Sequence, residues 1–125
     1  MNQFDHEKLD VYHKSLEFVA LSGAILEKLP KGIAVTNQLD RASTAIPLNI
    51  AEGSGKFTPP DRCRFYDIAR GSALECAACL DVLIVRNILQ REDIAAPKEA
   101  LVRIVSMLVG LIKAIAPNRV YEGEA

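Results

Sequence analysis

Residues 59–89 read PPDRCRFYDIARGSALECAACLDVLIVRNIL, and this stretch decides the fold. Apolar and small side chains recur in it at alternating steps of three and four residues, the spacing of one face of an α-helix. Thr58 is a suitable N-cap, and a proline at position 59 is compatible with a first helical turn. The stretch therefore predicts one long helix whose buried seam is Phe65, Ala69, Ser72, Cys76, Cys79 and Leu83.

Three further segments have helical spacing, over about residues 7–29, 33–53 and 97–115. Pro47 lies within the second segment and should kink it, because proline has no N–H to donate to the carbonyl of Ser43. The connections are short, so consecutive helices should pack as antiparallel neighbours. We predict a single all-α domain over residues 1–125, an antiparallel up-down four-helix bundle with its second helix kinked at Pro47.

The first helix carries two apolar stripes. The predicted core stripe is Leu9, Tyr12, Leu16, Val19, Gly23 and Leu26. Val11, Phe18 and Ile25 recur every seven residues on another side of the helix, and Val102 and Val109 widen the apolar band of the fourth. Scattered apolar residues are normal on a monomer, but regular apolar stripes on a soluble protein usually mark an interface. We therefore predict self-association through these five residues, with a cyclic arrangement as the natural solution for identical bundles.

The charge balance argues against a dedicated nucleic-acid binder. The chain has 15 basic and 16 acidic residues and a net charge of −1, whereas such binders usually carry a basic excess. A local basic cluster is still the best candidate for contacts with RNA or another anion: Arg41, Lys56, Arg62, Arg64 and Arg70. Asp61, Arg64, Asp67 and Arg70 alternate in charge at intervals of three, so we expect this row to pair internally.

The cysteines and the hydropathy pattern indicate a cytoplasmic protein without a membrane segment. Three cysteines, an odd number, argue against a disulfide framework. The first eight residues are polar, unlike a signal peptide. The charge-free apolar run at residues 104–112 is far shorter than the roughly 20 residues that span a bilayer.

No motif in the sequence predicts catalysis, a metal or a cofactor. Cys76 and Cys79 form a CxxC pair, but a zinc site needs four ligands and no second pair exists, so core packing is the better interpretation. Residues 53–56, GSGK, lack the earlier glycine and the following Ser or Thr of a phosphate-binding loop. Asn49, Glu52 and Glu75 are predicted to form a structural polar network with Arg41.

Two stretches resemble a known family. Residues 41–56 read RASTAIPLNIAEGSGK and residues 64–75 read RFYDIARGSALE, and both are similar to the bacterial four-helix-bundle proteins named after the 23S rRNA intervening sequence. Residues 9–12, LDVY, also resemble the opening helix of that family. The resemblance implies a homopentamer and kinship to the accessory variability protein of diversity-generating retroelements, a bundle that binds RNA and a reverse transcriptase through a basic surface.

Two functional hypotheses follow from these observations. The first is a non-enzymatic, homo-oligomeric and RNA-associated scaffold, whose partners would be its own copies and RNA or an RNA-handling protein. The second is a protein–protein interaction adaptor without a nucleic-acid role. An enzyme would require a pocket with several converging polar groups, and the sequence does not predict one.

Overall fold

The computed structural model describes residues 3–118 and contains four α-helices after a short 3-10 helix. The 3-10 helix covers Asp5–Lys8, followed by α1 (Asp10–Lys28), α2 (Ala34–Ser54), α3 (Pro59–Val85) and α4 (Arg91–Ile115). Residues 3–118 contain no β-strand, which confirms the predicted all-α class. None of these helices combines the length and apolar character needed to cross a membrane.

Each helix packs against two others, so the four surround one core. α1 and α3 each pack closely against both α2 and α4, whereas the backbones of the two diagonal pairs lie farther apart. Cys63, near the start of α3, lies beside Ala116 after the end of α4. Lys98 Nζ, near the start of α4, lies 2.6 Å from Asp81 Oδ1 near the end of α3. These contacts are those of antiparallel neighbours, as the short connections predict.

The predicted core faces of α2 and α4 are confirmed. The apolar residues that recur with helical spacing in the second predicted segment are buried in α2: Val35, Leu39, Ala42, Ile46 and Ile50. In α4, Leu101, Ile104, Leu108 and Ile112 are buried, as the apolar band predicts. Each fully buried Leu or Ile contributes about 1.5–3 kcal/mol of apolar transfer free energy, so these faces hold the bundle together.

Pro47 lies inside α2 without ending it. Because Pro47 cannot donate to the carbonyl of Ser43, the hydroxyls of Ser43 and Thr44 are nearby side-chain donors that could have replaced that hydrogen bond. Their hydroxyls instead donate to the carbonyl of Asp40, at 2.9 and 3.2 Å. The helix thus continues through Pro47, while the hydroxyls of Ser43 and Thr44 bond to a carbonyl one turn before them. The kink at Pro47 stays a prediction.

The connection between α3 and α4 differs from the prediction at both ends. α3 ends at Val85, four residues early, because Asn87 adopts a left-handed φ of 59° and the N–H of Ile88 bonds to the carbonyl of Leu83, which is a Schellman ending. α4 begins at Arg91 and not near Pro97, where the prediction placed it. Its first turn is closed by Asp93, whose carboxylate accepts the N–H of Gln90 at 2.8 Å.

A close approach fixes α2 against α3. Gly53 packs so tightly that an added Cβ would lie 2.9 Å from Tyr66 Cε1 and 3.1 Å from the Arg62 carbonyl oxygen. Tyr66 is almost completely buried, and its hydroxyl shares a 2.8 Å hydrogen bond with Ser54 Oγ. Gly53 is therefore a point of close contact between α2 and α3, one residue before the end of α2.

Candidate interaction surfaces

The stripe of α1 that enters the core is the one predicted for the interface. Its buried members are Val11, Ser15, Phe18, Ser22 and Ile25, followed by Leu29. Phe18 is completely inaccessible to solvent in the single chain. The prediction that Val11, Phe18 and Ile25 form an interface is therefore wrong, because their own bundle already covers them.

Two serines explain why this stripe faces inward. Ser15 Oγ donates to the carbonyl of Tyr12 at 2.6 Å, and Ser22 Oγ donates to the carbonyl of Val19 at 3.1 Å. Because each hydroxyl is bonded within its own helix, its burial leaves no unpaired polar group. The small serines also leave room for the helices that flank Phe18.

The other stripe of α1 is partly exposed, and we call it the outer stripe. It comprises the residues predicted for the core: Leu9, Tyr12, Leu16, Val19, Gly23 and Leu26. Leu16 is 41% exposed, and a Cβ added to Gly23 would meet only open space. Leu9, Tyr12 and Leu26 of this stripe still pack against the core, so its surplus apolar surface is centred on Leu16, while the stripe predicted for the interface fills the core.

An apolar groove of about 280 Å³ lies between α3 and α4. We call it the α3–α4 groove, and its apolar lining consists of Ala73, Leu74, Ala77, Leu101, Val102 and Val105. Leu74 is 50% and Val102 65% exposed. Val109, two turns beyond Val102 on α4, is half-buried. The two interface residues predicted on α4 therefore remain accessible, Val102 within this groove.

The predicted basic residues are spread over α2, the following connection and the first half of α3. Arg41 is exposed on α2. Lys56 Nζ lies 3.4 Å from Glu52 Oε2, and Arg70 Nε lies 3.8 Å from Asp67 Oδ1. Arg62 is half-buried, and its Nε has no hydrogen-bond partner within residues 3–118. Carboxylates thus partly neutralise this region.

Phe65 brings two of the basic side chains together. Lys56 Nζ lies 5.1 Å and the Arg64 guanidinium carbon 4.8 Å from the centre of its ring. Both distances are typical of cation–π contacts. The expected internal pairing of the charged row is confirmed for Asp67 and Arg70, whereas in the described part of the chain Arg64 has no ion pair with Asp61.

Phe57 is the surface residue that the sequence interpretation overlooked. It lies in the connection between α2 and α3, next to Lys56, and is 98% exposed. A lone aromatic residue between a lysine and a helix start is a visible signal, but it has no periodicity and so escapes a search for helical stripes. Phe57 and the two cations near Phe65 place aromatic and basic groups at the same end of the bundle.

The predicted polar network does not form. Asn49 Nδ2 donates to the carbonyl of Ala45 in its own helix, at 2.8 Å. Glu52 is exposed and pairs with Lys56, and Glu75 is exposed on α3. Side chains on the solvent face of two helices bond locally because water competes for longer contacts, which is the physical reason for this correction.

The cysteines are buried and free, and their chemistry is suppressed. Burial raises the pKa of Cys76 from 9.0 to about 12, with smaller contributions from Cys79 and Glu75. Burial also raises the pKa of Cys79. Both thiols are therefore protonated near neutral pH, and a protonated thiol is a poor nucleophile and metal ligand. Within residues 3–118, no group of His, Cys, Asp and Glu side chains is placed to hold a metal ion.

Comparison with known proteins agrees with this architecture. The family model described as 23S rRNA-intervening sequence protein matches residues 7–110. No curated protein matches the chain. Among solved structures, a Bacteroides thetaiotaomicron protein of unknown function from the S23 ribosomal protein family is 27% identical, with a TM-score of 0.78 over 82% of this chain and 98% of that one. These matches confirm the family resemblance drawn from the NIAEG motif at residues 49–53.

Proposed function

We propose that this chain, which belongs to the 23S rRNA-intervening sequence protein family, is a non-enzymatic cytoplasmic scaffold that assembles with copies of itself. The observation that carries the proposal is the α3–α4 groove, where Leu74 and Val102 expose apolar surface beside an apolar floor. Contiguous exposed apolar surface on a soluble protein usually marks a place where another molecule packs.

The position of the outer stripe supports a head-to-tail assembly. The outer stripe lies on α1, whereas the groove lies between α3 and α4, and α1 and α3 form one of the diagonal pairs of the bundle. Two different apolar surfaces on one chain favour a heterologous contact, which closes into a ring when the rotation between copies permits. A ring of five, the number implied by the family resemblance, is the assembly we propose.

Association with RNA is a second role, favoured by the mixed aromatic and basic surface at the α2–α3 end. Lys56 and Arg64 lie at cation–π distance from Phe65, and Phe57, which follows Lys56 in the chain, is exposed. A ring would repeat this basic surface once per copy, so several weak RNA contacts would act together. This would hold although one chain has a net charge of −1. The competing function is an adaptor that binds another protein and no nucleic acid.

The mass of the assembly in solution tests the scaffold proposal. Val102→Glu places a charge in the α3–α4 groove, and we expect it to lower the mass measured by light scattering or mass photometry, because burying a carboxylate against an apolar surface is unfavourable. Leu48→Glu is the matched control, since Leu48 is also exposed but lies on α2. A wild-type chain that is monomeric at micromolar concentration, or equal effects of both variants, would contradict the proposal.

Nuclease treatment separates the two binding roles. An RNA-associated scaffold should copurify with nuclease-sensitive material, and its binding to added RNA should weaken steeply as salt rises. An adaptor should copurify with a protein partner that nuclease does not release. Absence of RNA binding at low salt would leave the scaffold proposal and remove the RNA role.

A further inference from the structure

The α2–α3 connection presents an aromatic ring to solvent on a well-defined backbone. Phe57 is 98% exposed, which leaves its ring faces open for a planar ligand. The backbone around it is held by hydrogen bonds, since the N–H of Lys56 bonds to the carbonyl of Gly53 and Thr58 Oγ1 accepts the N–H of Asp61. Pro59 and Pro60 at the start of α3 restrict the chain further. The backbone on both sides of Phe57 is thus held, while its ring is left open to solvent.

Two cations belong to the same α2–α3 end of the bundle as Phe57. Lys56 precedes Phe57 directly, and both Lys56 and Arg64 lie within about 5 Å of the Phe65 ring centre. Lys56 forms an ion pair with Glu52, with 3.4 Å between Nζ and Oε2, whereas Arg64 has no carboxylate partner among residues 3–118. Arg64 is therefore the cation more available to an incoming anion.

We infer that Phe57 is a stacking platform for an unpaired RNA base, with Arg64 and Lys56 binding the neighbouring phosphates. Aromatic side chains beside a basic surface are the usual means of binding single-stranded nucleic acid, because every base has a π-face and every linkage a negative charge. A base inside a duplex already stacks on both sides, so this platform selects loops, bulges and single strands. The inference rests on the RNA role proposed above and names the class of RNA.

A second copy of the chain is the competing occupant of Phe57. Lys56, the residue before Phe57, argues against it, since lysine is depleted from the cores of protein interfaces. The apolar groove that suits another copy lies between α3 and α4, and its lining does not include Phe57. The observations therefore favour a nucleotide at this position.

The test compares an unstructured oligouridine with an RNA duplex of equal length, using wild-type protein and three Phe57 variants. Phe57→Ala removes the ring, Phe57→Leu keeps apolar bulk without a π-face, and Phe57→Trp keeps stacking. We expect the Ala and Leu variants to bind the single strand about 5- to 150-fold more weakly, the range for one stacked base, with little change for the duplex. Because the chain contains no tryptophan, the Trp variant supplies a single fluorescent reporter that a stacked base should quench.

Arg64→Gln adds a second, independent readout. Loss of one phosphate contact on a single strand should reduce the slope of log affinity against log salt by about 0.7. Oligouridine binding that is unchanged in Phe57→Leu, or no quenching in Phe57→Trp while RNA binds, would overturn the stacking inference and leave the RNA role intact. A wild-type chain that binds neither RNA at low salt would remove both. A change in assembly mass without a change in RNA affinity would assign Phe57 to a protein contact.

Discussion

Gly53→Ala should destabilise the bundle although alanine is the better helix former. The added Cβ would lie 2.9 Å from Tyr66 Cε1 and 3.1 Å from the carbonyl oxygen of Arg62. Tyr66 has no free space to move into, because it is almost completely buried and its hydroxyl is bonded to Ser54 at 2.8 Å. The carbonyl of Arg62 belongs to α3 and can shift only with that helix.

The size of the effect follows from two opposing contributions. Overpacking a well-ordered core costs about 1–3 kcal/mol. Replacing glycine by alanine within a helix gains up to about 1 kcal/mol, and less near a helix end, where Gly53 lies. We therefore expect a net loss of about 0.5–2 kcal/mol in the free energy of unfolding.

Gly110→Ala is the matched control. Gly110 is exposed within α4, and a Cβ there would meet no atom within 4 Å, so the same chemical change should stabilise the protein by about 0.5–1 kcal/mol. Thermal or urea unfolding at one fixed protein concentration measures both variants, since assembly would make the midpoint depend on concentration. A Gly53→Ala protein as stable as the wild type would refute the argument from close packing.

Three further predictions concern the core and the thiols. Phe18→Ala, on the buried stripe of α1, should cost about 3–5 kcal/mol, whereas Leu16→Ala, on the 41% exposed outer stripe, should cost about 1 kcal/mol. Similar losses in urea unfolding would contradict the assignment of the α1 stripes. Tyr66→Phe should cost about 1 kcal/mol, and this cost should disappear in a Ser54→Ala background, which a double-mutant cycle measures. Between pH 9 and about 12 the Cys76 thiol ionises in the unfolded chain but stays protonated in the folded one. The free energy of unfolding should therefore fall by up to about 1.4 kcal/mol per pH unit in this range. Unfolding curves recorded across the range should show a smaller fall for Cys76→Ala.

The sequence predicts most of the fold because helical periodicity reports burial directly. It predicts the apolar residues of the α2 core face, since α2 has one apolar stripe, but not the burial of Ser43, Pro47 and Ser54 beside them. It does not decide between the stripes of α1, because both repeat with helical spacing. The choice depends on whether Ser15 and Ser22 can be buried, and that depends on hydroxyl bonds to the helix backbone that periodicity does not reveal.

Helix ends and surface chemistry are the less predictable part. Pro97 resembles a helix start, yet Asp93 closes the first turn of α4 earlier and Pro97 is accommodated in the second turn. The sequence shows the basic cluster, but it does not show that the Arg64 guanidinium lies over the Phe65 ring, because that depends on side-chain conformations at the start of α3. Phe57 carries no periodic signal, so its exposure is visible from the fold alone.

The serines of α1 also affect the order in which the bundle opens. Their hydroxyls bond to α1 itself, so α1 could detach as an intact helix without leaving those groups unpaired. α2 and α3 form a hairpin with a short connection and share the Ser54–Tyr66 hydrogen bond, which separating them would break. Native-state hydrogen exchange should therefore show α1 opening as an independent unit at lower free energy than the α2–α3 hairpin. Assembly through the outer stripe would then raise the protection of α1 selectively.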